Sequence, residues 1–178
     1  NALLFRDPSL AAIPRAGIVH RLDKDTTGLL VIARTLQAHA DLVRQLQERT
    51  VKREYEAVVC GSFTGGGKID APMGRHPRDR VKMAVVASGK PAVTHFRIAE
   101  RFETYTHLRV QLETGRTHQI RVHMAHIGHP LLGDTLYGAR LRLPKHADEE
   151  LKTVLQDFKR QAWHAAQLGL INPGTGEY

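Results

Sequence analysis

The feature that most constrains the fold is a strict alternation of apolar and polar residues over 106–113. Leu108, Val110 and Leu112 are separated by polar side chains. A period of two places every apolar side chain on one face of a strand and leaves the other face to solvent. Such strands are typical of antiparallel sheets, which can be covered on one face only. Residues 93–100 are also strand-like and are the predicted antiparallel partner.

Strands and helices are mixed along the rest of the chain. The further strands are predicted at 29–33, 53–60 and 162–171, and the helices at 35–49, 117–127 and 148–160. Hairpins outnumber strand-helix-strand units, which indicates an α+β fold with a mostly antiparallel mixed sheet flanked by helices. Residues 1–16 are expected to be irregular, and residues 71–90 to form an exposed, basic and mobile segment.

The apolar spacing also predicts which side of each element faces the core. The run 29–33 is entirely apolar and has the length of a buried strand. Thr35 is the predicted N-cap of the first helix, Gly128 the stop of the second, and Tyr55, Ala57 and Val59 share one face of strand 53–60. The helical residues predicted to face the core are Leu36, Ala40, Val43 and Leu46, then Ile120, Met124 and Ile127, and finally Leu151, Val154, Leu155 and Phe158.

The charge balance favours a polyanionic partner. Lys and Arg number 26 against 18 Asp and Glu, which gives a net charge of +8. Basic side chains near phosphates release condensed counterions, so such a protein is attracted to nucleic acid. A basic surface with no partner remains the alternative at this point.

Other compositional features exclude some classes of protein. One cysteine, Cys60, excludes an intramolecular disulfide framework and a cysteine-rich zinc site. No apolar run approaches the ~20 residues of a membrane span, and no signal peptide opens the chain. We therefore expect a cytoplasmic protein without a membrane partner.

Two polar clusters are candidates for a functional site. The first, 20–28, lies in a loop before the apolar run, and its alternative interpretation is an acidic loop whose Asp residues cap turns and pair with Lys24. The second, 114–123, places Arg116 before a helix start, where free N–H groups can meet a phosphate or carboxylate. Its alternative is a helix start with a solvated basic face.

Four histidines, His118, His123, His126 and His129, raise the question of a metal site. Their spacing lets only some of them share a helical face. No paired cysteines and no His-Glu-x-x-His pattern accompany them. We therefore expect no metal site and interpret these histidines as structural groups or polyanion contacts.

Taken together, four segments resemble the RluA-type pseudouridine synthase family. They occur in the family's order and extend over the whole chain. The segments are 17–30, with His20-Arg21-Leu22-Asp23 and Thr27-Gly28; Arg53-Glu54-Tyr55; 115–123; and 129–134 followed by Tyr137-Gly138. The resemblance implies a pseudouridine synthase catalytic domain over 1–178. The chain lacks the family's N-terminal S4-like RNA-binding domain and its last strands, so we expect it to be a fragment.

The resemblance also implies a reaction and its residues. The chain is expected to isomerise specific uridines to pseudouridine in a structured hairpin of large-subunit (23S) ribosomal RNA, without cofactor or metal. Asp23 is the implied catalytic carboxylate, Arg116 its ion-pair partner, and Tyr55 the ring that stacks on uracil and assists in removing the C5 proton. The implied substrate-binding residues are His20, Arg21, Thr27, His118, Gln119 and Arg121.

Two other functions stay open as alternatives. A non-catalytic RNA-binding domain explains the charge but leaves Asp23, Tyr55 and Arg116 without a role. A metal-dependent hydrolase or nuclease would use the histidines. The sequence does not determine which uridines are modified, how Asp23 acts, or the oligomeric state, for which a monomer is the default expectation.

Overall fold

Most of the strands follow one another in the middle of the chain, with helices before and after them. The computed structural model describes residues 1–138 and 141–178. Its helices and strands, in chain order, are α1 Ala2–Arg6, β1 Thr27–Gly28, α2 Leu36–Gln47, β2 Lys52–Cys60, β3 Gly67–Asp70, β4 Met73–Arg75, β5 Met83–Val85, β6 Val93–Arg101, β7 Tyr105–Leu112, α3 Gln119–His126, α4 Glu149–Asp157 and β8 Trp163–Gly169.

The main sheet has six strands in the order β1-β8-β2-β7-β6-β3. Within it, β1 and β8 are parallel and the other neighbouring pairs are antiparallel. Strands β4 and β5 form a separate antiparallel hairpin. The expected α+β fold with a mostly antiparallel mixed sheet is confirmed, as is the pairing of β6 with β7.

The core lies on one face of the central strands. Tyr55, Ala57 and Val59 of β2 are buried there, as the alternation predicts, together with Leu108 and Val110 of β7. The apolar side of α3 covers this face with Ile120 and Met124. Helix α3 is thereby held against the sheet at the residues that follow the β7–α3 turn.

The predicted buried strand at 29–33 is wrong. Leu29 and Leu30 are 50% and 40% exposed, and the pairing with β8 ends at the N–H of Leu29, which donates to the Ala165 carbonyl at 3.0 Å. The end of the run pairs instead with an earlier loop, because the N–H of Ala33 donates to the carbonyl of Gly17 at 2.9 Å. The run therefore closes a local loop and does not cross the core.

The N-terminal segment and the segment 71–90 are more ordered than predicted. Residues 1–17 contain α1, a 3₁₀ turn at Pro8–Ala12 and a second turn at Pro14–Gly17 in which Arg15 and Ala16 have positive φ, and Leu10 is buried. Residues 71–90 contain the β4–β5 hairpin, whose Met73 is buried and exchanges two backbone hydrogen bonds with Lys90. Met73 packs with Ala92 and Val122, and the partly buried Met83 and Val85 join this small apolar cluster.

The predicted helices are confirmed, but parts of their predicted faces are wrong. Helix α2 is capped by the Thr35 side chain, yet it buries Leu42 and Gln45 and leaves Leu36 and Ala40 exposed. The reason is the Gln45 amide, which exchanges hydrogen bonds with the backbone of Ile171 and turns this polar residue inward.

The other two helices are shorter than predicted. Helix α3 ends before Ile127, which is exposed, and Gly128 follows with a positive φ of 84°. In α4 only Leu155 is buried, whereas Leu151 and Val154 are exposed. Of the helices that the structure describes, none is long and apolar enough to cross a lipid bilayer.

Candidate active site

A cleft of about 540 Å³ brings the two polar clusters of the sequence together. Its walls come from the loop before β1, the C-terminal end of α2, strand β2, the β7–α3 turn and the first residue of β8. Asp23, Tyr55 and Arg116, the three predicted catalytic residues, all line it. They are far apart in the sequence, so the sheet and α3 are what place them in one site.

Asp23 presents a carboxylate to this cleft. Its side chain is 17% exposed, and Oδ2 lies 3.8 Å from Nη1 of Arg121. Among the residues that the structure describes, no donor makes a hydrogen bond to this carboxylate. Asp23 therefore has a neighbouring positive charge while its oxygens remain available to a ligand.

Arg121 is held by a second, fully buried carboxylate. Its Nε and Nη2 donate to Oδ2 and Oδ1 of Asp134 at 2.7 and 2.8 Å. Asp134 also accepts the backbone N–H groups of Leu136 and Tyr137, both at 3.0 Å. Two parallel bonds fix the plane of the guanidinium, so that Nη1 is directed toward Asp23.

The electrostatics keep this arginine charged. Burial disfavours the cation, but the hydrogen bonds and the charge of Asp134, and then the charge of Asp23, raise the pKa of Arg121. Burial likewise opposes ionisation of Asp134, but the hydrogen bonds and charge of Arg121, together with the N–H groups of Tyr137 and Leu136, lower the pKa of Asp134. The ring of Tyr137 also lies 5.0 Å from the guanidinium carbon, a cation–π distance.

The prediction that Arg116 forms an ion pair with Asp23 is wrong. In the described part of the chain Arg116 pairs with no carboxylate, and its Nε donates to the carbonyl of Pro91 at 3.1 Å. Arg121 takes the expected position because it lies in the first turn of α3, three residues before the buried Met124. That spacing puts Arg121 on the buried side of α3, whereas Arg116 precedes the helix.

Tyr55 forms an aromatic wall of the cleft together with Trp163. The two rings stack with centroids 4.6 Å apart and an interplanar angle of 27°. Burial raises the pKa of Tyr55, Arg53 acts in the opposite direction, and Asp23 raises it further. The phenol is therefore neutral at neutral pH. Trp163, a cleft residue that the sequence patterns did not single out, comes from the predicted strand at 162–171.

His118 joins the cleft to the β4–β5 hairpin. It precedes α3 in a left-handed conformation, with φ of 57°. Its Nδ1 lies 2.8 Å from the hydroxyl of Tyr137, which accepts the N–H of Met83 at the same distance. Burial lowers the pKa of His118, and the nearby Asp23 only partly opposes this. A neutral imidazole can accept a hydrogen bond at Nδ1 from the Tyr137 hydroxyl.

Comparison with known proteins identifies the family. Residues 4–126 match the model of the family described as RNA pseudouridylate synthase. This chain belongs to the RNA pseudouridylate synthase family. The resemblance drawn from the four motifs is therefore confirmed.

Two curated relatives of this pseudouridylate synthase chain share one name. This chain is 66% identical over 177 residues to ribosomal large subunit pseudouridine synthase D of Pasteurella multocida. It is 62% identical over 176 residues to the protein of that name from Pseudomonas aeruginosa. Each alignment covers 99% of this chain and 55% of the relative. The chain thus spans about half the length of the curated relatives it matches.

Two solved structures share the fold of this family member. Human RNA Pseudouridylate Synthase Domain Containing 1 superposes with a TM-score of 0.74 at 27% identity, covering 93% of this chain and 66% of that one. Human RNA Pseudouridylate Synthase Domain Containing 4 gives 0.67 at 27% identity, covering 85% and 65%. The pseudouridine synthase fold expected from the motifs is confirmed.

The remaining motif residues have unequal positions in this synthase fold. His20 and the exposed Arg21 line the cleft, and Nε2 of His20 accepts the N–H of Val31 at 3.1 Å. Burial, and then the charge of Arg53, lower the pKa of His20. Thr27 does not line the cleft, because its hydroxyl pairs with Nδ1 of His164 at 2.8 Å in the β1–β8 pair.

Gln119 holds the β7–α3 turn in place through hydrogen bonds of its buried side-chain amide. Its Oε1 accepts from the Thr114 hydroxyl at 2.7 Å and from the Arg116 N–H at 3.0 Å. Its Nε2 donates to the Val93 carbonyl at 3.0 Å and to the Thr94 hydroxyl at 3.1 Å. Because the buried amide is fully occupied, Gln119 shapes the cleft through the turn.

Two of the four histidines make separate structural contacts. His123 is fully buried between the Thr94 hydroxyl at 2.8 Å and the Ala71 carbonyl at 3.0 Å. His129 bonds the Cys60 carbonyl at 2.8 Å. Over residues 1–138 and 141–178, no group of three or more potential ligands is arranged to hold a metal ion.

The loop that carries Asp23 is fastened from the far end of the chain. The buried amide of Gln161 donates to the carbonyl of Lys24, 137 residues away, and lies 3.3 Å from the Thr26 hydroxyl. The Thr26 N–H in turn donates to the Asp23 carbonyl at 3.1 Å. The turn after Asp23 is thus tied to the segment that leads into β8, a contact that no local pattern predicts.

Proposed function

We propose that this chain is the catalytic domain of an enzyme that isomerises uridines to pseudouridine in large-subunit ribosomal RNA, with Asp23 as the catalytic carboxylate. The observation that carries the proposal is the position of Asp23 in the cleft, 3.8 Å from Arg121 and free of other described donors. The relatives named for this activity on the ribosomal large subunit support the choice of substrate.

The reaction breaks the N1–C1′ glycosidic bond, turns the uracil and joins C5 to C1′. The proton at C5 leaves and N1 gains a proton, so the product is an isomer of the substrate without redox change. Positive charge develops at the sugar as the first bond breaks. A carboxylate next to C1′ stabilises that charge, either as an ion or as a nucleophile. Asp23 has this role in the proposal.

Arg121 keeps the Asp23 carboxylate ionised for that step. A positive charge within about 4 Å favours the ionised carboxylate over the protonated acid. Because Asp134 already occupies Nε and Nη2, the guanidinium stays in place when substrate enters. Arg121 thus acts as the positioning partner of Asp23, and Arg116 is left for another contact.

Tyr55 and Trp163 supply a surface for the uracil. The stacked pair presents an aromatic wall next to Asp23, and stacking on such rings is worth roughly 1–3 kcal/mol per base. Because its pKa is raised, the neutral Tyr55 phenol is a weak base at neutral pH. Stacking, which keeps the freed base in place during rotation, is therefore its main role here.

The target uridine has to leave its helix to enter the cleft. Extruding a base costs roughly a few kcal/mol. The exposed Arg21 lies two residues from Asp23 at the cleft and is placed to hold the flipped nucleotide or fill the gap. Exposed arginines of the β4–β5 hairpin, such as Arg75 and Arg80, are proposed to follow the phosphates of a folded RNA hairpin. The relatives named for ribosomal RNA modification are bacterial, so we propose that this enzyme acts in the cytoplasm. We also propose that it acts as a monomer.

A tritium-release assay tests the proposed reaction. Large-subunit ribosomal RNA carrying tritium at uridine C5 is incubated with the full-length wild-type protein, with Asp23→Asn and with Asp25→Asn. Asp25 is a matched control because it is exposed, two residues away, and already has a positive φ of 66° that Asn tolerates.

Release by the wild type and by Asp25→Asn, with none by Asp23→Asn, is the expected result. Wild-type protein that binds RNA without releasing tritium would support the non-catalytic RNA-binding domain instead. RNA cleavage that stops on addition of a chelator would support the metal-dependent alternative.

A further inference from the structure

The cleft contains more positive charge than the ion pair at Asp23 needs. Five arginines besides Arg121 line it, and in the described residues none of them pairs with a carboxylate: Arg15, Arg21, Arg49, Arg53 and Arg116. The acidic residues of the lining are Asp23, which faces Arg121, and Glu113, which pairs with His95 at 2.5 Å. The excess charge therefore has no counter-ion from the described chain.

Arg53 stands out within this group because part of its guanidinium is buried without a partner. Its Nε is inaccessible to solvent and makes no hydrogen bond in the described structure. Leaving a buried donor unpaired costs about 1–3 kcal/mol, and more for a charged group. Such a group in the wall of a binding cleft points to an acceptor that the described chain does not supply.

Gly115 makes room for this guanidinium. A Cβ built on Gly115 would lie 2.8 Å from Nη1 of Arg53, closer than side-chain atoms normally approach. Arg116 comes next in the chain, and its Nε is occupied by the Pro91 carbonyl. Its two terminal nitrogens make no hydrogen bond within the described residues. Two arginines with unused donors therefore border the turn at Gly115 in the same cleft, Arg53 through its guanidinium and Arg116 as the next residue in the chain.

We propose that Arg53 and Arg116 form an anion subsite that binds a backbone phosphodiester of the RNA beside the target uridine. The proposal rests on the proposed function and names a contact of that same cleft. A guanidinium presents parallel N–H donors that match two phosphate oxygens. Arg53 and Tyr55 are two residues apart on the same face of β2, about 7 Å along the strand. A phosphate at Arg53 is thus within one nucleotide's reach of a base stacked at Tyr55.

The salt dependence of RNA binding tests this subsite. Affinity of the full-length protein for a large-subunit ribosomal RNA transcript is measured by filter binding across a series of salt concentrations. Each phosphate contact contributes about 0.7–0.9 to the slope of log K against log salt. Arg53→Met and Arg116→Met are each expected to lower the slope by about that amount and to weaken binding at low salt.

Arg109→Met is the matched control. Arg109 is exposed and pairs in register with Glu56, so it lies on the sheet face opposite to Tyr55. This variant removes the same charge from the protein but is expected to leave the slope unchanged. If Arg53→Met and Arg116→Met have the same slope as Arg109→Met, the subsite is overturned.

Gly115→Ala provides a second test that removes no charge. Its new methyl group displaces the far end of the Arg53 side chain, which is flexible, so the fold is expected to keep its unfolding midpoint. Affinity should fall in the wild-type background and stay unchanged in the Arg53→Met background. Equal losses in both backgrounds would contradict the role of Arg53.

Failure of this inference and failure of the proposed function give different results. The binding slope is measured without any chemical step, whereas the proposed function depends on tritium release. Wild-type release combined with unaltered slopes in Arg53→Met and Arg116→Met would reject the subsite alone.

Discussion

Arg121 donates two hydrogen bonds to Asp134, from Nε at 2.7 Å and from Nη2 at 2.8 Å, and both residues are buried. The same guanidinium is the positively charged group nearest to Asp23, with Nη1 of Arg121 3.8 Å from Oδ2 of Asp23. One carboxylate thus fixes an arginine that orients another carboxylate. The proposed catalytic residue is supported through Arg121 by a residue that never reaches the cleft.

Asp134→Ala is expected to lower the free energy of unfolding by about 3–5 kcal/mol. Removing one member of a buried ion pair leaves the other charge buried without a partner. Urea unfolding measures this loss. Asp70→Ala, which breaks the exposed pair with Lys68, should lose less than about 1 kcal/mol. Similar losses for the two variants would mean that the Arg121–Asp134 pair does not support the fold.

Arg121→Lys is expected to reduce kcat about 100-fold with little change in KM. A lysine has one ammonium group, so it cannot bond Asp134 through two parallel N–H groups and also face Asp23. The loss should appear in kcat because the contact serves the reaction and not RNA binding. Steady-state tritium release measures both constants, with Arg44→Lys on the exposed side of α2 as control. A change confined to KM would assign Arg121 to RNA binding.

Gln161→Ala is expected to lower kcat about 10-fold through the Asp23 loop. The variant removes the donor to the Lys24 carbonyl and should destabilise the protein by about 1–2 kcal/mol. Gln167→Ala is the control, since Gln167 is an exposed residue of β8. If Gln161→Ala loses stability but keeps the wild-type kcat, the anchor is structural and does not position Asp23.

The stability of the protein is expected to fall as pH drops below about 6.5. Burial lowers the pKa of His20, His118 and His123, so each is neutral in the folded state where the unfolded chain is already protonated. The unfolded state therefore binds more protons in this window, and stability rises with pH. Urea midpoints at pH 7.5 and 5.5 measure the effect. An equal or higher midpoint at pH 5.5 would contradict the neutral histidines.

The sequence predicted those parts of the fold that depend on local periodicity. The alternation of Leu108 and Val110 predicted β7 and its partner β6. The apolar run 29–33 misled because length and hydrophobicity do not say which surface a segment meets. Its last residues bond to the loop near Gly17, a contact that has no periodic signal.

The candidate site was predictable in its members but not in its pairings. The four motifs predicted Asp23, Tyr55 and Arg116 as catalytic residues, and all three line the cleft. The arginine that faces Asp23 depends on the orientation of α3 and on the buried partner Asp134. Both are properties of the packed fold, as is the link from Gln161 to the Asp23 loop.

The most direct test of the account measures binding and chemistry on the same samples. Wild-type and Asp23→Asn proteins are mixed with a large-subunit ribosomal RNA transcript, and affinity is measured by filter binding. The RNA is then digested and its nucleosides are separated by chromatography to quantify pseudouridine. We expect similar affinities, with pseudouridine formed by the wild type and none by Asp23→Asn. Pseudouridine formation by Asp23→Asn at the wild-type rate would contradict it.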